Sequence, residues 1–176
     1  MSGELIELEA GNQKLNAYLA KASNRNAPAV IVLQEWWGLV EHIKEVCDRF
    51  AQAGYHALAP DLYHGETGKS PDEAGRLMMQ LNIEQTATDL LTAVKEVKSR
   101  DDMEVSSVGV IGFCMGGQLA MYTASLSSDV KAVVNFYGIH PNVKPRLEDI
   151  QAAVVGIFGE QDDMVTPESA RELEAS

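Results

Sequence analysis

Two rhythms of apolar positions take turns along the chain. Glu4 to Leu8 and Lys14 to Ala20 read as short strands around a Gly11-Asn12 turn, the pattern of a hairpin. Ala29 to Leu33 is a continuous apolar run with Val30, Ile31 and Val32 at its centre, suited to a strand buried on both faces. From Glu41 to Ala53 the spacing changes: Ile43, Val46, Cys47 and Phe50 recur as on one face of a helix, and Gly54 ends it. Tyr55 to Ala59 is the next strand, stopped by Pro60-Asp61.

Residues 61–71 have the Gly65, Gly68 and Pro71 of a loop. Helical spacing returns over about 72–81 and 83–99, the second stretch carrying Leu90, Leu91, Val94 and Val97 on one face. Ser107 to Ile111 is then a strand and Met115 to Leu126 a helix, followed by strands at Lys131 to Phe136 and Ala152 to Phe158. Pro167 opens a last helix. Strands separated by helices imply βαβ units, hence an α/β fold with a mostly parallel sheet and right-handed crossovers. Ligands of such sheets bind beyond the carboxyl ends of the strands. The loops after Leu33, Ile111 and Phe158 should therefore lie along one edge and hold the chemistry.

A length of 176 residues fits one domain able to bury a core. A net charge of −12 repels nucleic acid and anionic membranes, and neither is expected as a partner. No apolar run approaches the roughly 20 residues of a membrane helix, and Met1-Ser2-Gly3-Glu4 lacks the basic, then apolar, start of a secretion signal. Two cysteines, Cys47 and Cys114, make no disulfide framework, so a reducing cytoplasm is the expected setting.

The loop after Ile111 carries the most specific signal. Gly112-Phe113-Cys114-Met115-Gly116-Gly117 joins strand to helix in the pattern G-x-C-x-G-G, a nucleophile elbow with cysteine at its apex. Such a turn needs glycines where strand and helix cross, and it leaves the sulfur at a helix N-terminus. There the dipole favours thiolate and the Met115 N–H can hold an oxyanion. Two plainer readings stand beside it: a small buried cysteine in a tight turn, or a phosphate cradle. The second lacks both the dinucleotide glycine spacing and a P-loop lysine. Cys47, on the apolar face of a helix, reads as core.

The loop after Phe158 offers Asp162 and Asp163, either a triad acid or carboxylates capping the Pro167 helix. The chain order nucleophile, acid, histidine suits an acid here, and Asp162 is favoured. After Leu33, Gln34-Glu35-Trp36-Trp37-Gly38 places a glutamate directly behind an apolar strand, where it needs a partner. Trp36 is positioned to give a second oxyanion N–H. The tryptophans suit an apolar substrate pocket and ordinary core equally well.

Together these residues resemble the dienelactone hydrolase (carboxymethylenebutenolidase) family. Four segments match in order: Gln34-Glu35 with Gly38, Ala59-Pro60-Asp61-Leu62-Tyr63, the Gly112–Gly117 elbow, and Gly159 to Val165. The resemblance implies the α/β-hydrolase fold, with a mostly parallel central sheet between helices and an N-terminal hairpin. It also implies Cys114 as nucleophile, Asp162 as acid, and Glu35 as the group that holds the resting thiol until substrate arrives. Trp36 and Met115 would form the oxyanion hole, and Trp37, Tyr137 and Arg76 are candidates for substrate contact. Arg76 lies in the region of the family's substrate-binding arginines but off the position counted back from Asp89. The implied reaction is hydrolysis of an ester or lactone through an acyl-cysteine, with no metal or organic cofactor.

The histidine of such a triad follows the acid, yet His42, His56, His64 and His140 all precede Asp162. None has the expected chain order, and His140, at a strand end, is the least unsuitable substitute. The expectation is a chain truncated at its C-terminus, with an exposed sheet edge that a homodimer would cover. A small-molecule or partner-binding module that turns nothing over is the alternative.

Overall fold

A computed structural model describes residues 3–175. Met1 and Ser2, which begin the stretch read for a secretion signal, and Ser176 lie outside the described residues. One seven-stranded sheet organises the chain. Its strands are β1 (Glu4–Ala10), β2 (Gln13–Ala20), β3 (Ala29–Leu33), β4 (His56–Pro60), β5 (Val108–Phe113), β6 (Val130–Phe136) and β7 (Ala153–Ile157). Five helices accompany them: α1 (Glu41–Gln52), α2 (Pro71–Met79), α3 (Ile83–Ser99), α4 (Met115–Leu126) and α5 (Pro167–Ala175), with a short 3-10 turn at Leu147–Asp149.

The spatial order is β1-β2-β4-β3-β5-β6-β7. The β1–β2 hairpin turns at Gly11, whose φ of 64° suits glycine, and β2 joins β4 antiparallel. The pairs β4–β3, β3–β5, β5–β6 and β6–β7 are all parallel. The expected α/β architecture is thus observed.

Helices cover both faces. On one, Ile43, Cys47 and Ala51 of α1 pack on Ala20, Val32, Ala57 and Ala59. On the other, α3 and α4 close a larger core around Leu33, Leu58, Leu90, Val94 and Leu119. Local signals place the helix starts. Ser70 Oγ accepts the Glu73 N–H at 3.3 Å ahead of Pro71, and Asn82 Oδ1 accepts the Gln85 N–H at 3.1 Å.

Most element boundaries shift by one or two residues from the sequence reading, and two of the shifts have a clear physical reason. Pro60 belongs to β4, opposite Ala17 of β2, because a strand that pairs there without needing an N–H tolerates proline. More important for the site, β5 pairs with β6 through Gly112 and Phe113 instead of ending at Ile111, so Cys114 stands directly between strand and helix. The flank at β7 contrasts with the centre: all its residues are exposed, including Val154, Val155 and Ile157. No helix among the described residues is long and apolar enough to cross a membrane.

Candidate active site

The carboxyl ends of β3, β5, β6 and β7 meet at Cys114. Its backbone has φ 53° and ψ −128°, a conformation disfavoured for any residue with a Cβ and held by the packing around it. The Cys114 N–H donates to the Phe136 carbonyl at 3.1 Å, and its carbonyl accepts the Gly117 N–H at 2.8 Å. The glycines are there because the crossing is tight. A Cβ at Gly112 would come within 1.8 Å of the Gly116 oxygen, and one at Gly116 within 2.5 Å of the Gln34 oxygen.

Four groups act on the sulfur. Burial pushes the Cys114 thiol above its ordinary value; the Met115 N–H lowers it, the Glu35 charge raises it, the Trp36 N–H lowers it and the Asp162 charge raises it. The expectation that the helix terminus would favour thiolate needs correction. The N–H groups do pull that way, but burial and Glu35 outweigh them, and the resting group is a thiol. The structure brings Glu35, Trp36, Met115 and Asp162 together around Cys114.

Glu35 has the partner its setting requires. The Tyr137 hydroxyl donates to Glu35 Oε1 at 3.1 Å. Burial and then the Glu35 charge push that phenol up to about 12, so it is a donor at neutral pH. Tyr137 has φ 40°, and its N–H bonds the Ile157 carbonyl of β7 at 2.8 Å. Asp162 accepts the Met164 N–H at 2.8 Å and the Val165 N–H at 2.9 Å, both on Oδ1. These donors hold its carboxyl below the usual range, Val165 most strongly, and leave Oδ2 for another partner. Asp163 is exposed.

Trp36 and Trp37 meet edge to face, with ring centroids 5.3 Å apart; Trp36 packs on the main core and both remain half-buried. Arg76 lies on the exposed side of α2 with its guanidinium donating to Gln80 Oε1 at 3.0 Å. Three histidines are held by other partners. His56 Nδ1 accepts the Ala22 N–H at 3.2 Å. His64 Nε2 sits 2.8 Å from the buried Asp89 carboxylate. His140, its pKa lowered by burial, has Nε2 on the Met78 carbonyl at 3.0 Å and Nδ1 accepting from Asn142 N at 3.2 Å. His42 is exposed on α1. Among the described residues, no group of three or more His, Cys, Asp or Glu is placed to hold a metal ion.

The model of the dienelactone hydrolase family matches residues 15–176. The chain belongs to the dienelactone hydrolase family. Protein usf of Aquifex pyrophilus is 38% identical over 170 residues, covering 93% of this chain and 73% of its own length. A provisionally named carboxymethylenebutenolidase of Aquifex aeolicus is 35% identical over the same shares. The crystal structure of a provisionally named dienelactone hydrolase from Klebsiella pneumoniae superposes with a TM-score of 0.84 at 27% identity, covering 98% of this chain and 78% of that one. The fold is therefore the α/β-hydrolase fold, and family membership supports a hydrolase function.

Sequence reasoning gave no role to three residues that build this dienelactone hydrolase site. Gln34 Oε1 accepts the Leu62 N–H at 3.1 Å, tying the Trp36 loop to the Pro60–Tyr63 segment. The Tyr63 hydroxyl donates to Met115 Sδ at 3.2 Å, and burial and the nearby Cys114 raise its pKa. Asn135 Oδ1 accepts the Gly138 N–H at 2.7 Å beneath the Tyr137 turn. The Gln34-Glu35 and P-D-L-Y segments pointed at the first two; nothing in the pattern of β6 singles out Asn135.

Proposed function

We propose that the chain cleaves a carboxylic ester or lactone with Cys114 as nucleophile. One observation carries this reading: the Met115 and Trp36 N–H groups both act on the sulfur of a residue held at a left-handed φ. Two donors fixed beside a nucleophile can also hold the oxygen of a carbonyl attacked there, in a partly buried place where hydrogen bonds count for most.

At rest the thiol keeps its proton, because burial and Glu35 disfavour the anion. Once a carbonyl sits against the two N–H groups, Glu35 takes the thiol proton and the sulfur forms a bond to the carbonyl carbon. The electron pair of the C=O bond moves to oxygen, which the N–H groups hold. Its return re-forms the C=O bond, breaks the bond to the alkoxide, which takes the proton that Glu35 holds, and leaves an acyl-cysteine. Tyr137 keeps Glu35 in reach through its hydrogen bond. Asp162, with Oδ2 free, is the acid that orients a base.

Hydrolysis of the acyl-cysteine needs a base to take a proton from water. His56, His64 and His140 are engaged by Ala22, Asp89 and Met78. With these three histidines held elsewhere, acylation is expected to outrun deacylation. Rapid mixing with p-nitrophenyl acetate tests this: nitrophenolate should appear in a burst of about one equivalent per chain and then slowly, following the acyl-enzyme pattern. Cys114→Ala should show no burst. A burst that survives in Cys114→Ala would overturn the assignment.

A further inference from the structure

Tyr63 touches both of the loops that supply the oxyanion donors. One donor is the Met115 N–H at the start of α4, and the other is the Trp36 N–H in the loop after β3. The β3–β5 register, in which Leu33 stands opposite Gly112, brings these loops side by side. They belong to different stretches of chain, so a hole made from the two works only if their spacing is held.

Tyr63 is buried, and it reaches each loop with a different part of its side chain. Its hydroxyl donates to Met115 Sδ at 3.2 Å. Its ring lies against the turn that follows Trp36 and Trp37: a Cβ at Gly38 would stand 3.3 Å from Tyr63 Cδ2. The preceding residue, Leu62, gives its N–H to Gln34 Oε1 at 3.1 Å, a second tie to the same loop. Tyr63 is itself fixed from the other side. Asp61 accepts the Tyr63 N–H at 3.2 Å on Oδ1 and the Gly65 N–H at 2.8 Å on Oδ2. The Asp61 N–H in turn bonds the Asn16 carbonyl of β2 at 2.8 Å, which anchors the segment to the sheet.

Packing alone does not account for the hydroxyl. Phenylalanine would fill nearly the same space, and a thioether is a weak acceptor for a buried O–H. Methionine, however, is a flexible side chain that can settle in a core in several ways. The hydrogen bond selects one of them, at the residue whose N–H faces the sulfur. We propose that Tyr63 is a positioning residue: it sets the distance between the Met115 and Trp36 N–H groups by gripping Met115 with its hydroxyl and the Trp36 loop with its ring. This role rests on Cys114 being the nucleophile, and Tyr63 plays it through Met115 and Trp36.

Two reactions of the same sulfur separate this role from general support of the fold. Acylation by p-nitrophenyl acetate develops an oxyanion; alkylation by iodoacetamide displaces iodide and develops none. Tyr63→Phe should slow acylation of Cys114 about tenfold and leave the alkylation rate and its pH curve unchanged. Met115→Leu removes the acceptor of the same bond and should show the same pattern. The double variant should be no slower than the slower single one, because both changes break one interaction. Circular dichroism checks folding, and were Tyr63→Phe to lose the native spectrum, Met115→Leu carries the test from the other side of the bond. Full-rate acylation in Tyr63→Phe, losses that add in the double variant, or equal slowing of both reactions would overturn the role of Tyr63 and leave Cys114 as nucleophile. No acylation of Cys114 in the native chain would overturn both.

Discussion

The two cysteines of this chain sit in opposite settings, one under a helix on a face of the sheet and one at the carboxyl ends of its strands. Cys47 faces inward from α1, fully buried among Val32, Ala57 and Ala59. Burial, with some help from Asp48, pushes its thiol up to about 12. Cys114 is also raised by burial, yet two backbone N–H groups pull against that and a carboxylate stands beside it. Burial alone makes a cysteine inert packing. What sets Cys114 apart is the set of donors around the sulfur, and a strained strand-to-helix junction is what brings them there.

The largest expected effect tests that junction. Gly112→Ala places a methyl group 1.8 Å from the Gly116 oxygen, so it should cost about 4 kcal/mol or more and abolish cooperative unfolding in urea near neutral pH. Gly109→Ala, three residues earlier on the same strand with its nearest contact at 3.6 Å, should change stability by less than about 1 kcal/mol. Equal losses in the two variants would show that the elbow is not specially tight.

Next comes the contrast between the thiols. Iodoacetamide should label Cys114 and spare Cys47 in the folded chain, and Cys114→Ala should abolish labelling. Cys47→Ala should leave labelling intact and lower the unfolding free energy by about 1–2 kcal/mol through lost packing. Preferential labelling of Cys47 would reverse the account.

Glu35→Gln is a smaller and more informative change. The Glu35 charge raises the Cys114 pKa, so its removal should lower it. More thiolate is then present at a given pH, and alkylation at pH 8 should speed up about threefold, with the rate–pH curve moved to lower pH. A curve moved upward would mean that Glu35 does not face the sulfur. Tyr137→Phe should be mildest: it removes one hydrogen bond, worth about 0.5–1.5 kcal/mol, and lets Glu35 move. Its signature is a change in the alkylation pH curve with little loss of stability.

Most of the scaffold could be read from spacing because apolar rhythm and burial have the same cause. β3 is buried and appears as an unbroken apolar run; α1 and α3 show helical spacing because one face packs on the sheet. The elbow was legible because its steric demands leave glycines at fixed offsets from Cys114. The resting state of the thiol was not. It depends on a balance between burial and local charges that no residue pattern expresses. The end of β5 was misplaced for a related reason, since glycines needed by the elbow look like a loop although Gly112 is still in the sheet. Asn135 was invisible because its role, accepting the Gly138 N–H beneath the Tyr137 turn, depends on the path of the loop after β6, which no residue pattern expresses.

The central claim, that Cys114 is the acylated nucleophile, is tested most directly by intact mass and peptide mapping after brief exposure to p-nitrophenyl acetate. The account predicts one acetyl group per chain, on the peptide containing Cys114, and none in Cys114→Ala. Acetylation of Cys47 or lysines with Cys114 unmodified, or ester consumption undiminished in Cys114→Ala, would contradict it.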